Sequence, residues 1–296
     1  MPTHVPTEEQ ETQLTVEEKV AGVRIFVAAA RTDGRSIGLV PTMGALHSGH
    51  ISLIDAARRR CDCVAVSLFV NPTQFGPNED YARYPRTLDA DLDACRNAGV
   101  DFVFLPAKEE LYPAGFATSV EVTGLSDRLE GAIRPGHFRG VATVVLKLFN
   151  IVAPDVAFFG AKDYQQQLVI RQMVHDLDLP VEIATCPTIR EADGLALSSR
   201  NRYLDAGQRR QALSLSAALT AGCDRYLAGE DDVAGVNAVM RTTMESAGVA
   251  VDYAVTCDPV TLTELKGPQS RMVLLVAGRL GSTRLIDNLE VSLTSR

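Results

Sequence analysis

No stretch of this 296-residue chain approaches the ~18 uninterrupted apolar residues of a membrane helix, so no helical membrane span is expected. The first thirteen residues lack the basic segment and apolar core of an export signal, and they lack the amphipathic character of a transit peptide. They are rich in Thr, Glu, Gln and Pro, and we read residues 1–14 as a disordered tail on a soluble, cytoplasmic protein. Positive charge is in deficit, with 29 Lys and Arg against 37 Asp and Glu and a net charge of −8. That balance argues against a nucleic-acid partner, and a polyanionic ligand would be repelled unless cations are gathered locally. Beyond the tail there are no repeats and no low-complexity tracts.

Histidine is scarce too. Besides His47 and His50 the chain has only His4, His137 and His175, with no cysteine or carboxylate at ligand spacing beside them, which disfavours a metal site. Six cysteines, dispersed through a long chain without export signals, favour reduced thiols over a disulfide framework. Cys61 and Cys63 stand at the entry to an apolar strand, where side chains two apart share a sheet face, so packing is expected of them.

What the chain does have is the segment Pro41-Thr42-Met43-Gly44-Ala45-Leu46-His47-Ser48-Gly49-His50. Residues 37–40 before it read as a short buried strand and residues 51–60 after it as a helix, so His50 falls in the helix's first turn. Unpaired amides and the positive end of the helix dipole gather there, and Gly44 and Gly49 permit tight turning and close approach. Two imidazoles at such a turn make an anion cradle. The glycine spacing is that of a P-loop, but His50 and Ile51 stand where that motif needs Lys and a magnesium-binding hydroxyl.

Apolar runs at 37–40, 64–70, 101–105, 156–159 and 181–186 read as strands, alternating with helices at 51–60, 88–98, 141–152 and 164–176. Such alternation predicts a Rossmann-like, doubly wound parallel α/β sheet with helices on both faces. In such sheets ligands bind beyond the carboxyl ends of strands, where the histidine turn, residues 71–74 and residues 160–162 all fall. After residue 200 the pattern changes to two helices, 208–227 and 233–247, and three strands, 251–255, 271–277 and 283–291. The reading is therefore two domains: residues 15–188, and a smaller C-terminal α+β capping domain over residues 189–296.

The histidine segment resembles the HxGH motif of the HIGH-type nucleotidylyl transferases, a superfamily that also includes class I aminoacyl-tRNA synthetases. The longer string, with Phe69-Val70-Asn71-Pro72-Thr73-Gln74-Phe75, Tyr84-Pro85-Arg86-Thr87, Phe159-Gly160-Ala161-Lys162-Asp163-Tyr164-Gln165-Gln166 and Arg190 to Asn201, resembles the pantoate:β-alanine ligase (pantothenate synthetase) family in order along nearly the whole chain. The resemblance implies a two-step reaction. The pantoate carboxylate attacks the α-phosphorus of ATP, releasing pyrophosphate, and the β-alanine amine then attacks the pantoyl adenylate, releasing AMP. It also implies Mg2+ as the companion of ATP and a homodimer. Such chemistry asks for alignment, charge neutralisation and exclusion of water, and no covalent enzyme intermediate.

By the same resemblance the ATP site comprises Met43, Gly44, Ala45, Leu46, His47, Ser48, Gly49, His50, Gly160, Ala161, Lys162, Asp163, Ile189, Leu197, Ser198, Ser199 and Arg200. His47, His50, Lys162 and Arg200 are the catalytic set. His50, aimed by the helix terminus, is the better candidate proton donor to pyrophosphate. Lys162 follows a buried strand and reaches phosphate as a point charge, and Ser198-Ser199-Arg200 supplies two hydroxyls and a guanidinium for the β- and γ-phosphates. Gln74 and Gln166, whose amides both donate and accept, are placed around pantoate, with Asn71, Tyr84 and Arg134 lining the pantoate and β-alanine pocket. The chain departs from the family at Ala161 and Leu197, and in the run Asp89-Ala90-Asp91 at a position associated with magnesium in relatives, so no protein metal ligand is assigned. The rival readings are a nucleotidylyl transferase that stops after transfer and a non-catalytic nucleotide-binding module. Gln74, Gln166 and a capping domain favour the ligase over the first, and the complete set of catalytic side chains counts against the second.

Overall fold

The computed structural model describes residues 14–77, 79–229 and 232–292. All but the last residue of the expected tail thus lies outside the described residues, as do Glu230 and Asp231 of the link between the two C-terminal helices. The chain opens with β1 (Thr15–Glu17) and α1 (Val20–Thr32), followed by β2 (Ile37–Thr42), α2 (Ser48–Arg58), β3 (Cys63–Leu68), α3 (Leu88–Asn97) and β4 (Phe102–Phe104). Two one-turn helices, α4 (Lys108–Leu111) and α5 (Glu130–Ile133), precede α6 (His137–Val152), β5 (Val156–Gly160), α7 (Tyr164–Asp176) and β6 (Glu182–Cys186). These strands form one parallel sheet in the order β1-β4-β3-β2-β5-β6.

Strands covered on both sides must be apolar at both parities, and β2, β3 and β5 are. Leu39, Cys63, Ala65, Ala157 and Phe159 pack with Val23 of α1, Phe138 and Val145 of α6, and Ile170 of α7. Val40, Val64, Val66, Val156 and Phe158 pack on the other face with Leu53, Ile54 and Ala57 of α2 and Cys95 of α3. The chain leaves β2 through α2 toward β3 and leaves β5 through α7 toward β6, so the strand order reverses between β2 and β5. That reversal opens a crevice at the carboxyl ends of both strands.

The two cysteines expected on one sheet face are on opposite ones. Cys63 belongs to the layer of α1 and α6, whereas Cys61 lies ahead of the strand, outside its alternation, and packs on the α2 side. The sequence reading also passed over β1 and α1. Helix α6 begins four residues earlier than expected, after Gly136 with a left-handed φ of 80°.

Beyond the parallel sheet come α8 (Ala206–Leu227), α9 (Val233–Ser246) and an antiparallel sheet of β7 (Ala250–Cys257), β8 (Arg271–Leu280) and β9 (Thr283–Ser292), in that order. One face of this sheet, through Leu274 and Val276, covers Leu215, Leu219 and Met240 of the two helices. The other, through Tyr253, Val273 and Leu275, packs on Tyr164 and Leu168 of α7 and on Leu125. Arg284 fixes the contact by donating to both carboxylate oxygens of Glu130 and to Asp252, and the Tyr253 hydroxyl donates to Glu130 at 2.7 Å.

Candidate active site

The crevice at the strand reversal is a cavity of about 230 Å³. Its walls include Met43, His47, Gly49 and His50 after β2, Gly160, Lys162 and Asp163 after β5, and Ile189, Leu197, Ser198, Ser199 and Arg200 from the segment after β6. Gln74, Asn71, Tyr84, Arg134 and Gln166 complete the polar part. Segments far apart in the sequence therefore meet in one place.

His47 and His50 cap their own helix. His47 precedes α2 and its Nδ1 accepts from the Gly49 amide at 3.1 Å, while the Nδ1 of His50 accepts from the His47 amide at 3.3 Å. An imidazole whose Nδ1 accepts carries its hydrogen on Nε2, so both neutral rings offer an N–H on the edge away from the helix. Gly49 is required between them, because a Cβ there would stand 2.9 Å from the His47 ring. Burial, reinforced by Lys162 and Arg202, lowers the pKa of His47 to about 4. Burial and the neighbouring His47 lower that of His50 to about 3. Both rings are neutral donors at physiological pH. In the free protein each ring is therefore an Nε2–H donor rather than an imidazolium, and a phosphate brought beside it would raise its pKa.

Five residues expected in the ATP site, Gly44, Ala45, Leu46, Ser48 and Ala161, are not among those lining the cavity. The amides of Ala45 and Leu46 are held instead by the buried carboxylate of Asp91, at 2.9 and 2.8 Å. Part of the anion cradle is thus filled from within, by a residue the sequence reading left without a role. The Ala161 amide is engaged by the Cys186 carbonyl, and Asn288 of β9 donates to the carbonyls of Ala161 and Lys162 at 3.0 and 2.8 Å. The turn that carries Lys162 is therefore supported by the C-terminal sheet. The Lys162 ammonium lies 3.8 Å from Asp163, too far for a hydrogen bond, and its side chain is 18% exposed.

The Ser198–Arg200 segment lines the crevice. The Ser199 hydroxyl is committed to the Ala45 carbonyl at 3.2 Å, and Ser198 Oγ accepts from the Arg200 amide. Only the Ser198 hydroxyl hydrogen and the Arg200 guanidinium remain of the expected clamp, and that guanidinium is gripped by Asp80 while lying over the Tyr84 ring.

On the opposite wall, Asn71 is a buried hub. Its Nδ2 donates to Gln74 Oε1 at 3.1 Å and to the Gly140 carbonyl, and its Oδ1 accepts from Thr73 and Tyr112. Gly140 is dictated by this contact, since a Cβ there would meet the Thr73 carbonyl at 2.4 Å. With Oε1 of Gln74 occupied, its Nε2 is the group left near the cavity, 3.2 Å from Met43 Sδ. Of the three consecutive glutamines, Gln165 and Gln167 are bound within the protein, and Gln166 is the one that faces the cavity. Arg134 is paired with Glu79. The sequence reading missed Asp80, Glu79, His137, Asn288 and the apolar stripe Val141, Val144, Val145 and Leu148 of α6. Only the stripe had a visible signal, its spacing along one helix face.

Paired imidazoles at the switch point of a doubly wound sheet, with a lysine and an arginine beside them, are the arrangement by which the sequence resembles the HIGH-type nucleotidylyl transferases. A family model described as Pantoate-beta-alanine ligase matches residues 15–290. A pantothenate synthetase of Moorella thermoacetica is 59% identical over 276 residues, 92% of this chain and 96% of that protein. The crystal structure of the pantoate-beta-alanine ligase of Thermus thermophilus is 47% identical with a TM-score of 0.91, covering 95% of this chain and 100% of that one. A Francisella tularensis pantoate-beta-alanine ligase, solved in complex with beta-gamma ATP and beta-alanine, is 36% identical with a TM-score of 0.76 over 94% of this chain and 97% of its own. The chain belongs to the pantoate-beta-alanine ligase family. It is a ligase that condenses pantoate with β-alanine at the expense of ATP, the reaction of that family.

Proposed function

We propose that adenylation takes place at the carboxyl ends of β2 and β5, with the triphosphate lying across His47, His50, Lys162 and Arg200 and pantoate lying between Gln74 and Gln166. The observation that carries this reading is the fixed tautomer of the two histidines. Capping ties up Nδ1 of each ring, which leaves two preorganised Nε2–H donors beside the Lys162 ammonium. Neutral donors stabilise the charge of departing pyrophosphate by hydrogen bonding, and they need no reorganisation when the bond breaks. Gln74 contributes Nε2–H to a pantoate oxygen, while the Gln166 side chain has no hydrogen bond among the described residues and is open to a hydroxyl or carboxylate. The α6 stripe, Val141, Val144, Val145 and Leu148, offers water no partner, which protects an acyl phosphate from hydrolysis.

Mg2+ belongs to this proposal as part of the MgATP substrate. Asp91 is held by two amides, Asp80 by Arg200 and Glu79 by Arg134, and the one carboxylate among the described residues that line the cavity, Asp163, stands 3.8 Å from the Lys162 ammonium. Among the described residues no group of three or more His, Cys, Asp or Glu is placed to hold a metal. The ion would then be held by phosphate oxygens and water. The division at residue 188, the homodimer and a cytoplasmic setting are also proposals, the homodimer resting on the family resemblance; light scattering of the purified chain tests the dimer.

The reading is tested by the order of chemistry. Labelled pyrophosphate should exchange into ATP with pantoate and magnesium present and β-alanine absent. Oxygen-18 from the pantoate carboxylate should appear in AMP after the full reaction. Label in inorganic phosphate, with none in AMP, overturns adenylation.

A further inference from the structure

His137, the first residue of α6, is buried at the cavity wall, and the mechanism above gives it no task. Both its ring nitrogens are engaged. Nδ1 lies 2.8 Å from the Gln74 carbonyl oxygen, and Nε2 lies 3.1 Å from Arg134 Nη1. A guanidinium only donates and a carbonyl only accepts, so the ring must carry its hydrogen on Nδ1 and accept at Nε2. This is the opposite tautomer to the two capping histidines.

The connections run in one direction. Glu79 accepts from Arg134 Nε and Nη2, Arg134 Nη1 donates to His137, and His137 donates to the backbone of Gln74. The Arg134 Nη2 also reaches the same Gln74 carbonyl at a longer 3.4 Å. The side chain of Gln74 is oriented separately, by Asn71. The backbone of this residue is thus fixed from one side and its amide from the other. The charged groups facing the ring are Arg134, Glu79 and Glu130, and burial together with Arg134 lowers its pKa to about 4, outweighing the two carboxylates.

We propose that His137, in its Nδ1–H tautomer, is a positioning residue that holds the Gln74 backbone where the Gln74 side chain can bind pantoate. The inference rests on the reading of Gln74 as a pantoate ligand. His137 touches no reacting atom in this scheme. Its effect falls on the affinity for pantoate, and the affinity for ATP is unchanged.

Two conservative variants divide its two hydrogen bonds. In His137→Asn the amide nitrogen overlays Nδ1 and keeps the donor to Gln74. In His137→Gln the amide lies where Nε2 was, facing Arg134, and the donor to Gln74 is lost. His137→Asn is expected to keep the KM for pantoate within ~3-fold of the parent. His137→Gln and His137→Leu should raise it ~10-fold or more, since a buried carbonyl loses its best donor, with the KM for ATP and kcat within ~3-fold. Gln74→Ala is the control: if it leaves the pantoate KM unchanged, the assignment of Gln74 to pantoate fails. If Gln74→Ala raises that KM while His137→Gln equals the parent, or Asn and Gln are equally harmful, the positioning role is overturned. Nitrogen-15 spectra give a readout independent of activity. The His137 ring should show a protonated Nδ1 and an unprotonated Nε2 from pH 8 to about 5, and the reverse assignment overturns the proposal.

Discussion

Both terminal oxygens of Asp80 bind the Arg200 guanidinium, each at 2.9 Å, through Nε and Nη2. The carboxylate occupies one edge of the guanidinium, its Nε and Nη2, where a phosphate could otherwise bind in the same two-point fashion. Arg200 is largely buried, so it has a counter-ion before any nucleotide arrives. Asp80→Ala should therefore lower the melting temperature of the free enzyme, by the roughly 2 kcal/mol expected for an unpaired, partly buried guanidinium. MgATP should recover much of that loss, giving a larger ligand-induced rise in Tm than in the parent. Equal rises in the two proteins would show that phosphate does not replace Asp80.

Asp91 is expected to matter for stability before it matters for catalysis. Its two hydrogen bonds to the amides of Ala45 and Leu46 lie in a buried turn with left-handed φ angles at Gly44 and Ala45. Asp91→Ala leaves both donors unpaired, and urea unfolding should show a loss of ~3 kcal/mol, present without ATP or magnesium. The exposed neighbour, Asp89→Ala, should change stability by less than ~0.5 kcal/mol. An Asp91→Ala protein as stable as the parent would remove the carboxylate from the turn.

Acid should destabilise the fold through its histidines. His47 and His137 are held at about 4 and His50 at about 3, below the ordinary value of 6.5. Between pH 6.5 and about 4 the unfolded chain binds protons that the folded chain refuses, so stability falls as pH falls through this window. Each such histidine contributes up to ~1.4 kcal/mol per pH unit. Urea unfolding at pH 7, 6 and 5 measures the slope. The slope should flatten in His137→Asn, and an unchanged slope would mean that His137 titrates normally in the folded protein.

The capping and chemical roles of His50 are separable. In His50→Asn the side-chain oxygen takes the place of Nδ1 and can still accept the His47 amide, whereas the Nε2–H is gone. Turnover should drop by about two to three orders of magnitude with the melting temperature nearly unchanged. His50→Ala should lose the same activity and, in addition, about 1 kcal/mol of helix capping. Activity of His50→Asn close to the parent would assign His50 to structure alone.

The parallel sheet was legible because β2, β3 and β5 are apolar on both covered faces except at Thr42 and Ser67 near the carboxyl ends of β2 and β3, and a run such as Val64 to Val66 has few other uses. The three-residue β1 carries no such signal. It exists because it pairs with β4 across some ninety residues of chain. The histidine turn and Lys162 could be placed beforehand because each follows a strand end, whereas the Ser198–Arg200 segment was placed by the family resemblance alone. What occupies each polar group could not. Nothing in the spacing of Asp91, Asp80 or Glu79 says that these carboxylates turn onto the Ala45 and Leu46 amides, Arg200 and Arg134. The cysteine pair failed for a related reason, since alternation holds only within a strand and Cys61 stands before β3 begins.

Asn288 gives the molecule a property that its two sheets would not suggest. The side chain sits on the middle of β9, near the end of the polypeptide, yet its two donors rest on the carbonyls around Lys162. A chain severed near residue 188 would retain the histidines, the lysine and both glutamines. It would leave the lysine turn with two carbonyls stripped of their donor and the Lys162 ammonium, proposed to meet the triphosphate, less firmly placed. The last strand among the described residues therefore supports the turn that carries Lys162.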